Sequence, residues 1–208
     1  PQAGQKHVKY KFSEQVDVWM LTRYCIFYLF ITLVIASISM YIPFRFTNSS
    51  TAGDLTSVLF FGIMASGYTL NWCVKVLKGH VAVSVMVFTV IGFAVISLFD
   101  NPILVGLGIL IATYFYGIAQ PYYYDRLSVA STRIALTLTL AIFASMDSIG
   151  NVVAPFVIDA IAKVFGTSTS ADPNVAFWIC TWMSVAVLAA VIVYEIIVHT
   201  KKHIEAHE

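Results

Sequence analysis

One acidic residue, Asp147, lies deep inside an otherwise apolar run. Arg133, Thr137, Asp147 and Asn151 share a helical face, because residues 133 and 151 are 18 apart, about five turns. Counted from the start of that run near Thr132, Asp147 is roughly 20 Å along the axis at 1.5 Å per residue. A carboxylate at such depth in an apolar phase costs at least about 2.5–3.5 kcal/mol, so it needs water, a cation or hydrogen-bond donors. Two roles fit. In one, the acid carries a proton or coordinates a solute. In the other it is structural, hydrogen-bonded to a neighbouring helix through Ser148 or a hydroxyl of the second run.

Two further polar stripes lie in apolar surroundings. Tyr24, Tyr28, Thr32 and Ser39 fall within an arc of about 80° at 100° per residue. Gly106, Thr113, Tyr116, Gly117, Gln120 and Tyr124 fall within about 100° by the same count. A polar group without a partner in lipid costs several kcal/mol, so Tyr28, Thr32, Tyr116 and Gln120 join Asp147, Asn151 and Arg133 as candidate solute- or ion-binding residues. Packing between helices is the competing role for Tyr116 and Gln120. Pro121 is expected to loosen the helix end after Gln120 and free a backbone carbonyl. Tyr122, Tyr123 and Tyr124 read as interfacial anchors.

The elements that must hold these residues follow from composition. Of the 208 residues, 59% are hydrophobic and 11% charged, and the mean hydropathy is +0.83. A soluble domain carries about 25% charged residues, so this chain lacks the charge to cover a water-facing surface. With 12 Lys and Arg against 11 Asp and Glu, it has no basic field for a nucleic acid. The 14% aromatic content excludes disorder. The apolar residues form six blocks of about 20, the length that spans a hydrocarbon core roughly 30 Å thick. They cover 18–42, 55–72, 81–99, 103–123, 132–164 and 175–198. These predict an all-α, polytopic membrane protein, since backbone groups in lipid must be satisfied within each segment. Residues 1–17 and 200–208 are polar tails flanking a transmembrane domain over 18–199. No cleavable signal peptide is visible, and the chain begins with Pro1, which suggests a segment of something longer.

Lys6, Lys9, Lys11, Arg23, Lys75, Lys78, Arg126, Arg133, Lys201 and Lys202 fall on one side of this layout, and only Arg45 and Lys163 on the other. The positive-inside rule then predicts two cytoplasmic termini and a plasma (inner) membrane protein. Trp19 and Trp72 fall near the inner interface, as an aromatic belt requires. The three cysteines, with no Cys-x-x-Cys and no Cys/His cluster, read as small packing residues rather than metal ligands or a disulfide framework. Asp159 and Lys163, at i and i+4, read as an interfacial pair. Gly62, Ser66 and Thr69 make a small-residue face suited to close helix packing.

Runs one, four and five carry the polar stripes, while runs three and six are nearly all Val, Ala, Ile, Leu and Phe. In chain order this is lining, intermediate, peripheral, then lining, lining, peripheral. Two units of like character suggest an inverted three-plus-three repeat.

Six helices, a linker-like N-terminal tail and the run Gly150-Asn151-Val152-Val153-Ala154-Pro155 resemble the C-terminal half of a major facilitator superfamily transporter. In that family the matching helix often carries Gly, a small residue and Pro, kinked beside the cavity. A Gly-x-x-x-Asp followed by basic residues and Gly often follows the second helix. Here Gly67-Tyr68-Thr69-Leu70-Asn71 keeps the spacing with Asn for Asp, and Lys75, Lys78, Gly79 and His80 follow at a longer separation. The resemblance implies that the first and fourth helices line a cavity and the third and sixth lie outside. It also implies a secondary transporter moving a small polar organic solute by alternating access. The partners implied are membrane lipid and an N-terminal six-helix half, from the same full-length chain or another copy.

Two other classes compete. A membrane enzyme needs a nucleophile–base pair or a metal set, and the chain has no His-Glu-x-x-His, no Gly-x-Ser-x-Gly and no acidic cluster. No catalytic residue, metal or cofactor is expected. A channel subunit needs a filter, and no Gly-rich re-entrant segment is evident.

Overall fold

The structure is a computed structural model, and it describes residues 11–77 and 79–205. Lys6, Lys9 and Lys78 lie outside the described residues, as do the side chains of Lys201 and Lys202. After a short 3-10 turn, Phe12–Glu14, six helices follow: α1 Val18–Arg45, α2 Ser49–Leu77, α3 Val81–Leu98, α4 Pro102–Ala130, α5 Leu136–Val164 and α6 Asn174–Glu205. All six are long and apolar enough to cross a membrane.

Local chemistry starts and stops them. The Asp17 carboxylate accepts from the Met20 N–H at 2.9 Å and caps α1. Asn101 does the same for α4 through the Ile103 N–H, with Pro102 at the first helical position, where its missing N–H costs nothing. Three prolines sit inside helices: Pro43 in α1, Pro121 in α4 and Pro155 in α5. The expected loosening at Pro121 does not end α4. Beyond it, Tyr123 is buried against Tyr24 and Phe27, and Leu127 is fully buried. That packing carries the helix through a residue that costs about 3 kcal/mol in a helix interior. Tyr123 is thus a core residue, not an interfacial anchor. α1 likewise runs past Pro43 to Arg45, and α2 starts six residues before its apolar block.

Helix α5 starts later than the apolar run, and the reason is local. Thr132 donates its N–H to the Gln15 carbonyl at 3.0 Å and its hydroxyl to Gln15 Oε1 at 2.7 Å, and Val16 bridges Ser131. This tie holds the chain extended before α5, so Arg133 lies in the turn that precedes the helix. At the opposite end, Arg45 fastens α1 to α3. It donates to the Ile96 and Phe99 carbonyls and to Asp100 Oδ1, supplying the final turn of α3 with donors.

Helix α1 is the centre: 67% of its most apolar window is buried, against 22% for α2 and for α5. The fully buried Tyr28, Ile31, Val34, Ile38 and Ile42 run along it. α2 packs chiefly on α4, α5 chiefly on α1, and α3 on α4 and α6. Spans one and four do meet, but the most exposed helices are α2 and α5, not the bland α3 and α6.

Glycines set the close crossings. A Cβ on Gly92 would sit 2.6 Å from the Gly108 carbonyl and 2.8 Å from Ala112 Cβ, so α3 and α4 meet almost backbone to backbone. The small-residue face of α2 does pack closely, and its partner is α4: Gly62 faces Thr113, Ser66 faces Gly117, and Thr69 shares a hydrogen bond with the Tyr114 hydroxyl. Such small residues let helices approach without a hydrophobic drive between them in lipid. Cys25, Cys73 and Cys180 are free and buried in this packing.

Candidate functional site

Spacing on three helices builds one polar cluster. On α5, Phe143, Asp147 and Gly150 follow at i, i+4 and i+7, which turns Asp147 toward α1 together with the buried Phe143 and Gly150. On α1, Tyr28 and Thr32 are one turn apart and face that stripe. Gly150 is what lets the backbones close: a Cβ there would lie 2.8 Å from Thr32 Cβ and 3.1 Å from the Leu29 carbonyl. α4 adds Tyr116, whose neighbour Gly117 is pressed against Ser66 and Ile63 of α2.

The Tyr116 hydroxyl donates to Asp147 Oδ1 at 2.6 Å. The Tyr28 hydroxyl lies 3.3 Å from the same oxygen and 3.1 Å from the Tyr116 hydroxyl. Tyr28 is fully buried, with its ring stacked on Phe143 at 4.7 Å and parallel to Tyr116 at 5.9 Å. A phenol–carboxylate bond of 2.6 Å is in the short, charge-assisted range, whereas 3.1–3.3 Å is weak. One oxygen of Asp147 is therefore held by donors from α1 and α4, while Oδ2 takes no hydrogen bond from a described residue and is not sealed from its surroundings. Asp147 as a whole is half-buried.

Thr32 is buried beside this cluster close to Tyr116, and its hydroxyl makes no well-formed hydrogen bond among the described residues. A buried unpaired hydroxyl costs about 1–3 kcal/mol, which a water or solute hydroxyl would relieve. Asn151 follows Asp147 by one turn, but its Nδ2 donates to the Asp147 backbone carbonyl at 2.8 Å, so its amide is engaged with its own helix. Gln120 is half-buried one turn from Tyr116 and makes no hydrogen bond to a described residue.

Not every residue of the sequence-derived set joins. Arg133 is exposed in the turn before α5, and 14 residues separate it from Asp147, about 21 Å along a helix. It is not part of the cluster. Nor do Asp159 and Lys163 pair. Asp159 Oδ1 instead accepts from the Tyr41 hydroxyl at 3.3 Å and from the Thr169 hydroxyl, and Lys163 is exposed. The motif Gly67–Asn71 lies inside α2 rather than in a loop after it, with Gly67, Tyr68 and Asn71 on the exposed face. Sequence reading missed Phe143, whose ring touches Tyr28, Tyr123 and Tyr124. Its signal was its position, one turn before Asp147 on the same face.

The arrangement can pass a proton along O–H···O contacts between two phenols and a carboxylate, or present one carboxylate oxygen to a bound cation or hydroxyl. Among the described residues no group of three His, Cys, Asp or Glu side chains is placed to hold a metal. No protein-family model, curated protein or solved structure matches the chain.

Proposed function

We propose that this chain is the C-terminal half of a secondary transporter of the major facilitator type, moving a small polar organic solute by alternating access. The observation that carries the reading is the convergence of Tyr28, Tyr116 and Asp147 from α1, α4 and α5, with one carboxylate oxygen left open. A costly intramembrane acid held by phenols and paired with no cation among the described residues suits a proton carrier or solute ligand. Gln120, Thr32 and Asn151 flank it as the further polar lining.

The packing supports an inverted three-plus-three repeat. α2 leaves its own unit to pack on α4, and α5 leaves its unit to pack on α1, the reciprocal exchange that a pseudo-twofold axis produces. The open faces of α2 and α5 are where an N-terminal six-helix half would dock, enclosing the cavity between halves. The reading places the protein in the plasma (inner) membrane with cytoplasmic termini. Cysteine labelling checks that orientation. A Ser49→Cys variant, at the start of α2, is expected to react with an impermeant maleimide from outside intact cells. Reaction only after the membrane is breached reverses the topology.

The test of function uses the full-length gene product in proteoliposomes loaded with a pH-sensitive dye. Sugars, sugar acids and carboxylates are added under an imposed pH gradient. Proton movement that depends on one of these solutes is expected. Ion conduction without any solute would instead favour a channel subunit.

A further inference from the structure

We infer that the groove between α1, α3 and α6 at the end carrying the termini is a binding site for one anionic phospholipid. The groove encloses about 1140 Å³ and lies on the other side of α1 from the α5 crossing, lined from α1, α3, α4 and α6. Toward the helix ends that carry the termini it is lined by Trp19, Arg23, His80 and Glu195, and further along the helices by the apolar Phe27, Phe30, Val187 and Val191.

Three observations select the occupant. The first is charge. The Arg23 guanidinium is set in a frame: it donates to the Tyr194 hydroxyl and lies 5.0 Å and 5.2 Å from the ring centres of Tyr24 and Tyr194. No carboxylate pairs with it among the described residues, because Glu195, the acid of the groove, is engaged by His80 Nδ1 at 2.8 Å. A guanidinium has five N–H donors in a planar fork suited to a phosphate, and the Tyr194 hydroxyl accounts for one. The second is depth. Arg23 is five residues into α1, about 8 Å along its axis, near the level where head groups meet hydrocarbon. The third is length. From Arg23 to Phe30 is seven residues, about 10 Å, which reaches about two-thirds of the way down one leaflet of a hydrocarbon core roughly 30 Å thick. A cation at the head-group level above an apolar slot that runs most of the way down one leaflet fits a phosphate head with the upper part of its acyl chain below. A free phosphate would leave the apolar floor unused.

Native mass spectrometry of the purified full chain tests this, with phosphatidylglycerol and phosphatidylcholine of identical acyl chains. Wild-type protein is expected to retain phosphatidylglycerol about tenfold more strongly, which corresponds to about 1.4 kcal/mol. Arg23→Gln is expected to bring the anionic lipid down to the phosphatidylcholine level. Ala190→Trp, which fills the slot from α6 at an exposed position, is expected to lower retention of both lipids without unfolding the bundle. Lys163→Gln, at the other end, is expected to change neither. Equal retention of the two lipids by wild type, full retention by Arg23→Gln, or unchanged binding in Ala190→Trp would each overturn the site. Displacement of the lipid by millimolar inorganic phosphate alone would also overturn it, as a phosphate site without an acyl slot. None of these outcomes depends on transport, so the lipid site and the transport reading stand or fall separately.

Discussion

Asp147→Asn is expected to abolish solute uptake driven by a proton gradient while leaving downhill exchange intact. Asparagine keeps the size of the side chain and an oxygen to accept from Tyr116, so the α1–α4–α5 cluster survives. What disappears is the titratable charge and the short charge-assisted bond from Tyr116 at 2.6 Å. Hydrogen bonds to charged groups contribute about 1.5–3 kcal/mol, and neutral ones nearer 1. The variant is therefore expected to express, insert and melt within a few degrees of wild type. The measurement is paired uptake and counterflow in proteoliposomes across a range of external pH. Normal coupled uptake at every pH would make Asp147 structural. Loss of expression would do the same by another route, since it would show that the carboxylate mainly holds three helices together. Tyr116→Phe is the companion variant: it strips the strongest donor from Oδ1 and is expected to shift the pH dependence of uptake without abolishing it.

Gly92→Leu is expected to destabilise the bundle strongly. The α3–α4 contact has no slack, because a Cβ at residue 92 would meet a carbonyl oxygen at 2.6 Å, a methyl at 2.8 Å and a backbone nitrogen at 3.0 Å. Two of these are backbone atoms that no rotamer change moves. Overpacking a fitted core costs about 1–3 kcal/mol and occasionally more, and a whole leucine at a backbone crossing belongs at the upper end. Fluorescence-detected size exclusion in detergent is expected to show aggregation or a strongly lowered melting temperature. Gly67→Leu provides the contrast. Nothing lies within 4 Å of a Cβ there, so the six-helix fold is expected to be unaffected. Equal behaviour of the two variants would mean that α3 and α4 do not cross at Gly92.

Much of this architecture is legible in the chain, and the limits are physical. The six helices are visible because apolar runs of membrane length have one solution in lipid, and the Asp100-Asn101-Pro102 turn announces α4 through capping chemistry. Asp147, Tyr28, Thr32 and Tyr116 stand out because polar groups at helical spacing in apolar runs must find each other. Which helix packs on which is not legible in that way. α3 looks bland, yet Gly92 makes it one of the tightest partners of α4, while the more polar α2 keeps an exposed face of Phe60, Phe61, Met64 and Tyr68. Counting turns places Arg133 on the α5 face, but the backbone and side-chain bonds between Thr132 and Gln15 take it out of the helix. That tie is a long-range contact, and periodicity carries no information about it. Asp159 found Tyr41 and Thr169 rather than Lys163 for a similar reason: its partners come from α1 and the loop after α5.

The proline inside α5 has an electrostatic consequence for the stretch of helix that carries the acid, about two turns earlier. Pro155 has no N–H, so the carbonyl of Asn151 loses the donor that a regular helix would supply. The Asn151 side-chain amide, meanwhile, points back to the carbonyl of Asp147. The ladder is thus doubly satisfied at the carbonyl of residue 147 and lacks its regular donor at the carbonyl of residue 151, one turn further along the helix. Isotope-edited infrared spectroscopy, with a carbon-13 label at the Asn151 carbonyl, would register that vacancy as an amide I band above the helical frequency. That vacancy belongs to the main chain, so no side-chain substitution at residue 151 removes it, and only replacing Pro155 restores the missing donor.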